Sequence, residues 1–448
     1  MIFEKLKNLK NNSGFRKYFE NTSWVFAEKI LRIFAALFVG VWVTRYLGPK
    51  NLGILSYAQS FVAIFLAFST LGINTVLVRE LVKKPTDKSK LLGTSFALQT
   101  VGSVFLLTFL LIGINLSDND DFTNKIILLL GSVTFFQSFQ VIGLYFQSIV
   151  YSKVVVIGSV ISLAVTSLLK IALILTESPL IYFVYAIISE TILIAIGLIY
   201  FYLRENESIR SWSFSKDTAK RLLRDSWPLI LSTIVVSIYM KVDQVMIKEF
   251  YDSNSVGQYA AAVRLSEAWY FIPTVICSSL FPAIVNAKGI SEKLYYNRIQ
   301  NLYDFMVYIS LSIAIPMTFM SDLIVDFLYG NAFQQTGEVL SIHIWAGIFV
   351  FLGVSRGGWI LNENLQRYTS LYLGVGMLAN IALNFILIPK FEILGAAWAT
   401  LIAQSISVLF APLLFKPTRI SFFMMIKALT FYRLFKMIST SKKQNKSD

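Results

Sequence analysis

The chain has 448 residues, of which 56% are hydrophobic and only 15% charged, and it carries a formal net charge of +14. A soluble domain is roughly 45–50% apolar and about 25% charged, so this composition excludes a soluble protein and indicates a polytopic membrane protein. The single cysteine, Cys277, excludes an internal disulfide framework.

Apolar runs long enough to cross a bilayer, about twenty residues each, predict twelve transmembrane spans. They lie near residues 24–45, 54–78, 91–115, 126–150, 155–175, 179–203, 227–249, 256–286, 301–328, 339–361, 367–388 and 394–415. Prolines predict kinks in the eighth and ninth spans. The first span follows about twenty polar residues and ends without a small-residue cleavage site, so we expect it to be retained and not removed as a signal peptide.

The positive charges fix the predicted orientation. With the amino terminus in the cytoplasm, most of the forty basic residues fall on the cytoplasmic side. The outer side holds only Arg45, Lys50, Lys125 and Lys390, and its charged loop SDNDDFTNK is acidic. The positive-inside rule therefore predicts that both termini are cytoplasmic. This placement accounts for the net charge without nucleic acid as a partner.

The chain is predicted to consist of two similar halves. The segment Asn21 to Ala58 returns in degenerate form as Asp225 to Ala262: each has a Ser-Trp pair, an apolar run with a few charges, a short turn and a glycine opening the next helix. Six spans per half place the pseudo-two-fold axis along the membrane normal. We predict a six-helix bundle at 1–203, a cytoplasmic linker at 204–226, a second bundle at 227–415 and a basic amphipathic tail at 416–448 that lies on the membrane surface.

The sequence lacks the common signatures of enzymes. It has no phosphate-binding glycine loop, no HExxH and no paired-cysteine metal motif, and its loops are too short for an active site of soluble type. We therefore expect no catalytic residue, metal or organic cofactor. The lone histidine, His343, is expected to be a hydrogen-bonding residue near the outer membrane interface.

Charged residues inside the predicted spans are the main candidates for function. Each costs about 2.5–3.5 kcal/mol or more at the bilayer centre, so each should face a polar interior or a partner. The cations are Lys29, Arg32, Lys170, Lys241, Lys248, Arg264 and Arg356; the anions are Glu28, Glu190, Asp243, Glu249 and Glu267. The excess of cations predicts a positively charged lumen for an anionic, phosphate-bearing substrate.

Spacing predicts some of the partners. Glu28 and Arg32 are four residues apart and can pair on one helix face. The seventh and eighth spans, joined by a short turn, should bring Lys241 and Asp243 to the depth of Arg264 and Glu267. Structural ion pairs remain an alternative for each of these residues. Polar residues with the same two possible roles, substrate contact or helix–helix packing, are Gln137, Gln140, Gln147, Asn380 and Asn384.

Several segments carry a resemblance to a known family. The Trp-led first span, the turn YLGPKNLG at 46–53, and the second span closing on LGIN at 71–74 and Arg79-Glu80 resemble the polysaccharide flippases of the Wzx type. The segment from Asp225 resembles the start of their second half. Together with the twelve spans, the resemblance covers about residues 20–415.

The resemblance implies an all-α, V-shaped transporter of the multidrug/oligosaccharidyl-lipid/polysaccharide superfamily, with two six-helix bundles. Such a protein would move an undecaprenyl-pyrophosphate-linked oligosaccharide, of O-antigen, capsule or a related polysaccharide, from the inner to the outer leaflet of the bacterial cytoplasmic membrane by alternating access. Coupling to a proton or sodium gradient is implied, with membrane lipids and other polysaccharide-assembly proteins as expected partners.

Site roles follow from combining the resemblance with the charge pattern. We expect Lys29, Arg32, Lys241 and Arg264 to hold the pyrophosphate, with Gln137, Gln140 and Asn380 as further polar lining. Glu28, Asp243 and Glu267 are expected to balance these cations or to carry the coupling ion.

Alternative functions remain open at this point. A lipid II flippase typically has two more spans, and a multidrug cation extruder conflicts with a positive interior. The rival from another class is a membrane-embedded polysaccharide polymerase or ligase. Such enzymes typically have a large outer loop, whereas the outer loops here are short.

Overall fold

The computed structural model describes residues 13–432, with side chains from residue 20 onward, and this part of the chain is almost entirely helical. Fifteen α-helices follow one another along it. They are α1 (Ser13–Thr70), α2 (Ile73–Lys83), α3 (Lys88–Asn115), α4 (Asp121–Gln137), α5 (Gln140–Ser148), α6 (Lys153–Leu175), α7 (Leu180–Arg204), α8 (Lys216–Phe250), α9 (Ser253–Glu267), α10 (Phe271–Lys288), α11 (Glu292–Tyr329), α12 (Thr336–His343), α13 (Ala346–Asn362), α14 (Gln366–Ser405) and α15 (Arg419–Leu429).

Within residues 13–432, ten helical stretches are long and apolar enough to cross a membrane. Two of them each contain two of the twelve predicted spans: Glu20–Lys83 and Gln366–Leu414. The sequence-based expectation of an all-α polytopic protein is therefore confirmed. Each of these two stretches has a break in the helical backbone between its two predicted spans, which accounts for the difference between ten and twelve.

The two longest helices, α1 and α14, are each broken at a single residue with a positive φ. In α1 this residue is Gly48 (φ 67°), which is followed by Pro49; in α14 it is Glu392 (φ 52°). A Cβ atom on Gly395 would overlap the carbonyl oxygen of Leu387, so the chain folds sharply at Glu392. An unbroken helix of 58 residues would be about 87 Å long, nearly three times the hydrocarbon thickness of a bilayer.

The chain divides into two compact units, Met1–Ser237 and Ile238–Asp448. The boundary falls inside α8, beyond the predicted linker at 204–226. That predicted linker comprises the end of α7, a short 3₁₀ turn at Ile209–Ser211 and the first turns of α8.

Unit 1 (Met1–Ser237) is held together by close helix packing. Gly158 of α6 faces Gly197 of α7, where a Cβ atom would lie 3.5 Å from the opposite Cα. Small residues at such contacts let helices in membranes approach closely. Buried apolar side chains of α2, α3, α5, α6 and α7, with Leu222 of α8, form one core cluster.

Unit 2 (Ile238–Asp448) has its own core between α10, α11, α13 and α14, and the tail helix α15 packs against it. Gln300 Nε2 of α11 donates to the carbonyl oxygen of Met424 at 2.9 Å, and Met425 and Ala428 are buried. With 11 residues, about 16 Å, α15 is too short to span a bilayer. The remainder of the predicted amphipathic tail, residues 433–448, lies outside the described residues.

We predict that Gly102→Ala destabilises unit 1, because a Cβ atom there would overlap the carbonyl oxygen of Phe68 where α3 crosses α1. Overpacking of this kind costs about 1–3 kcal/mol, which should lower the melting temperature by about 2–6 °C or more. Gly40→Ala is the matched control, since its Cβ would meet nothing within 4 Å. Thermal melting of both variants in lipid nanodiscs measures the difference, and equal melting temperatures would contradict the packing described.

Candidate functional site

A charged cluster lies inside unit 1, where α1, α6 and α7 meet. Arg32 of α1 donates through Nη1 to Oε1 of Glu190 at 3.1 Å and through Nη2 to Oε1 of Glu28 at 3.2 Å. Lys170 Nζ of α6 lies 3.5 Å from Oε2 of Glu190, and Thr166 Oγ1 lies 3.4 Å from the same oxygen. We call these five residues the Glu190 cluster. It contains two cations and two carboxylates, so its formal charges cancel.

The exposed fractions of the side chains show which member is accessible. Arg32 is 43% exposed, whereas Glu28, Lys170 and Glu190 are 20%, 21% and 18% exposed. The Arg32 side chain is thus the most exposed of the four charged side chains, and the carboxylates that hold it are mostly covered. The pairing of Glu28 with Arg32 predicted from their spacing is present.

Three other predicted site residues of unit 1 lie outside these contacts. Lys29 is exposed, and it points away from Glu28 because successive helical residues are about 100° apart. Gln137 ends α4 and Gln140 begins α5, and both are half-buried. Ser138 and Phe139 between them keep right-handed helical dihedrals, so Asp121–Ser148 runs as one helical stretch, and the polar lining by Gln137 and Gln140 stays a prediction.

Unit 2 contains a buried carboxylate held by neutral groups. Asp243 of α8 is only 6% exposed. Its Oδ2 accepts from Thr400 Oγ1 at 2.5 Å and from Tyr259 OH at 2.8 Å, and its Oδ1 accepts from Asn384 Nδ2 at 2.6 Å. Asn384 Nδ2 also lies 3.3 Å from Oδ1 of Asn380. These groups come from α8, α9 and both halves of α14, and we call them the Asp243 site.

The Asp243 site retains an unused oxygen. Asn380 and Asn384 are fully buried, and Oδ1 of Asn384 has no hydrogen-bond partner within the described part of the chain. A carboxylate, an amide oxygen and two hydroxyl oxygens are the oxygen ligands that hard cations prefer. Among the described residues there is no group of three or more His, Cys, Asp or Glu side chains that could hold a metal ion, so a site for a transition metal is not indicated.

The second predicted charge set of unit 2 gathers around Glu267. Lys241, Asp243 and Arg264 all interact electrostatically with the Glu267 carboxylate. Arg264 is exposed although it lies in an apolar helical stretch, and Lys241 is half-buried. The antiparallel arrangement of the seventh and eighth spans thus brings these four residues to one region, as their depth predicted.

His343 belongs to unit 2. It is buried, with Nδ1 3.0 Å from Ser266 Oγ and its ring edge-on to Tyr259 at 6.0 Å, and it lines the same small cavity as Asp243 and Glu267. The expected hydrogen-bonding role of His343 agrees with this contact, and its depth near the outer membrane interface stays a prediction.

The sequence analysis did not identify several residues that complete these sites. Glu190 and Lys170 were recognised only as charges within spans, and Thr400 and Tyr259 were not singled out. Their partners lie 16 to 158 positions away along the chain. The sequence shows that these residues are polar and lie within apolar spans. It does not show which residues they contact.

The described part of the chain, with ten apolar helical stretches that carry partnered charges, is that of a polytopic membrane protein. A family model described as "Polysaccharide biosynthesis protein" matches residues 18–288, more than half of the chain. The chain therefore belongs to the polysaccharide biosynthesis protein family, and the family expected from the sequence is confirmed.

Curated relatives are distant in sequence. The chain is 18% identical over 408 residues to the capsular polysaccharide biosynthesis protein CapF of Staphylococcus aureus, covering 87% of this chain and 97% of the relative. It is 25% identical over 254 residues to the probable flippase AglR of Haloferax volcanii, covering 55% of this chain and 51% of that protein.

Solved structures share the fold. An inward-facing multidrug resistance MATE family transporter of the MOP superfamily superposes with a TM-score of 0.70 at 13% identity, covering 88% of this chain and 95% of that one. The lipid II flippase MurJ, in an inward closed conformation, gives a TM-score of 0.65 at 18% identity, covering 94% and 93%. The fold is therefore that of the MOP superfamily transporters.

We predict that Thr400→Val destabilises unit 2 by about 1–3 kcal/mol, because a buried carboxylate loses one of its three donors. Thr274→Val is the control, since the Thr274 hydroxyl is exposed and bonds only within its own helix, to the carbonyl of Tyr270. Melting temperatures in nanodiscs compare the two. A Thr400→Val variant as stable as Thr274→Val would show that the Asp243 site does not depend on this hydroxyl.

Proposed function

We propose that this protein is a flippase that moves an oligosaccharide unit linked to undecaprenyl pyrophosphate from the cytoplasmic to the outer leaflet. Its family concerns polysaccharide biosynthesis, two of the distant relatives are named as probable flippases, and a lipid flippase has the same fold. Transport proceeds by alternating access through a cationic lumen, and the protein is not an enzyme.

The observation that carries this proposal is the exposure of two arginines within the spans. Arg32 is held by carboxylates yet remains 43% exposed, and Arg264 is exposed within an apolar stretch. A guanidinium at such depth must face a polar interior or a partner. Its planar donors match the oxygens of a phosphate. Arg32 and Arg264, with Lys29 and Lys241, hold the pyrophosphate in this proposal, and Gln137, Gln140 and Asn380 contribute polar contacts.

The distribution of basic residues supports the proposed location. Both termini lie in the cytoplasm and the protein spans the bacterial cytoplasmic membrane many times. The prenyl chain stays within the lipid while the headgroup crosses. Other membrane proteins of polysaccharide assembly are its expected partners, because they supply and consume the lipid-linked unit.

The Asp243 site fits the role of coupling to an ion gradient. Asp243 is surrounded by neutral donors, so its negative charge is not cancelled by an adjacent cation among its hydrogen-bond partners. Asp243, Thr400, Tyr259 and Asn384 would hold a sodium ion or a proton there. Glu28, which contacts Arg32, balances charge, and Glu267 lies among cations of unit 2 and does the same.

The direct test is transport in sealed vesicles of defined orientation. A labelled undecaprenyl-pyrophosphate oligosaccharide is supplied on the leaflet that corresponds to the cytoplasm, and its appearance on the other leaflet is followed with and without an imposed gradient. Protein-dependent appearance of the intact lipid is expected. A lipid that is lengthened or transferred without crossing would show a polymerase or ligase instead.

We predict that Arg32→Glu and Arg264→Glu each reduce transport by at least about tenfold, since reversing a charge replaces attraction of the phosphate by repulsion. Lys90→Glu and Lys293→Glu serve as controls, because both lysines are exposed at the starts of α3 and α11. Initial transport rates are compared at equal protein content. Full transport by both arginine variants would remove the basis for a cationic lumen.

We predict that Asp243→Asn abolishes the stimulation of transport by a sodium or proton gradient. The amide keeps the shape of the side chain but cannot supply the negative charge that attracts the coupling ion. Asp304→Asn is the control, because Asp304 is also a buried carboxylate of unit 2 but accepts from Gln300 at 2.8 Å, away from the Asp243 site. Transport measured with and without the gradient gives the ratio for each variant. An unchanged ratio in Asp243→Asn would place coupling elsewhere.

A further inference from the structure

The Glu190 cluster is built around a single carboxylate that two cations share. One carboxylate, Glu190, contacts two cations from two different helices, Arg32 of α1 and Lys170 of α6. Glu190 is the eleventh of the 25 residues of α7, about 15 Å from the start of that helix, and is therefore in the middle of the span. Its two oxygens are divided between the cations: Oε1 accepts from Arg32 and Oε2 from Lys170.

This geometry resembles what an anionic ligand would require. A phosphate group bound between Arg32 and Lys170 would present two oxygens to the same two cations. The contacts at Glu190 are also moderate in length, 3.1 Å to Arg32 and 3.5 Å to Lys170, compared with 2.5 Å for the Lys88–Glu207 pair at the end of α7. A charge-assisted N–H···O bond is typically about 2.7–2.9 Å, so the pairs made by Glu190 are longer than the optimum.

We propose that Glu190 competes with the pyrophosphate of the substrate for binding to Arg32 and Lys170. In the free protein it neutralises Arg32 and Lys170. When the pyrophosphate enters, the phosphate oxygens replace Glu190 as the partner of these cations, and the return of Glu190 expels the headgroup. Lys170, which the sequence analysis left unassigned, becomes a second ligand of the phosphate, and Glu190 is a positioning residue that sets how tightly the substrate is held.

The exposure of Arg32 supports this exchange. An incoming anion can reach the accessible side of the guanidinium while both carboxylates remain in place, so the ligand need not enter a site that is already dissociated. Thr166 is buried and its hydroxyl donates at 2.8 Å to the carbonyl oxygen of Ser162, so its 3.4 Å contact with Glu190 Oε2 is secondary and the exchange does not depend on it. Glu28 stays with Arg32 on the same helix and keeps that side chain oriented.

The identity of the ligand in this proposal rests on the proposed flippase function. The expected effect of removing the Glu190 carboxylate is tighter binding of the ligand, not weaker binding. Removing a carboxylate from a binding site should tighten binding of the ligand and slow its release. We expect Glu190→Gln to bind inorganic pyrophosphate about tenfold more tightly than the wild-type protein, since two cations lose an opposing charge. In vesicle transport both KM and kcat should fall, because the substrate is bound more strongly but leaves more slowly.

Two further variants separate this mechanism from a structural role. Glu190→Gln combined with Lys170→Gln removes one charge of each sign, so its affinity for pyrophosphate should return to within about threefold of the wild-type value. Glu207→Gln is the matched control, since Glu207 also contacts a lysine of unit 1, Lys88, and should leave the affinity unchanged. Size-exclusion chromatography and thermal melting establish that every variant is folded before binding is compared.

Calorimetric titration of the full-length protein with inorganic pyrophosphate decides the proposal. Tighter binding by Glu190→Gln, reversed in the double variant, supports it. Equal or weaker binding by folded Glu190→Gln overturns it, even if the wild-type protein transports the lipid. If the wild-type protein fails to move the lipid-linked oligosaccharide in vesicles, the flippase function is wrong, and the titration still determines whether Glu190 competes with an anion at Arg32 and Lys170.

Discussion

A charge in the middle of an apolar helix must find a partner within the protein, and this requirement shapes both units. Placing such a side chain at the bilayer centre costs about 2.5–3.5 kcal/mol or more, so the helices that carry charges are packed by the contacts those charges make. In unit 1, Glu190 ties α7 to α1 and α6. In unit 2, Asp243 ties α8 to α9 and α14.

The two units meet this requirement with different chemistry. Glu190 is neutralised by cations, whereas Asp243 is stabilised by neutral hydroxyl and amide donors that leave its charge in place. The anion exchange proposed at Glu190 in unit 1 and the cation site proposed at Asp243 in unit 2 follow from this difference. A flippase that moves an anionic headgroup at the expense of a cation gradient, as proposed above, would use one site of each kind.

Hydropathy and spacing predict the fold and part of the sites. Twelve apolar runs identify the spans, and four-residue spacing identifies the Glu28–Arg32 pair. The backbone breaks at Gly48 and Glu392 fall in the gaps that hydropathy predicts between spans, but hydropathy could not show that helical structure continues up to each break. The contacts of Glu190 and of Asp243 join distant helices, and only the packing of those helices determines which polar residues meet.

Arg356 shows why a count of charges overestimates the positive surface available to a substrate. Its side chain is 5% exposed, its Nη1 donates to the carbonyl oxygen of Val408 at 2.7 Å, and its guanidinium lies 4.7 Å from the centre of the Tyr372 ring. Val408 belongs to a short π-helical segment, Ile406–Phe410, whose altered hydrogen bonding offers a carbonyl to the side chain. The carbonyl and the aromatic face hold this guanidinium inside a packed core, where it is not accessible to a substrate, and its Nε has no hydrogen-bond partner among the described residues. A cation proposed to hold the substrate must remain accessible, and accessibility follows from packing and not from charge.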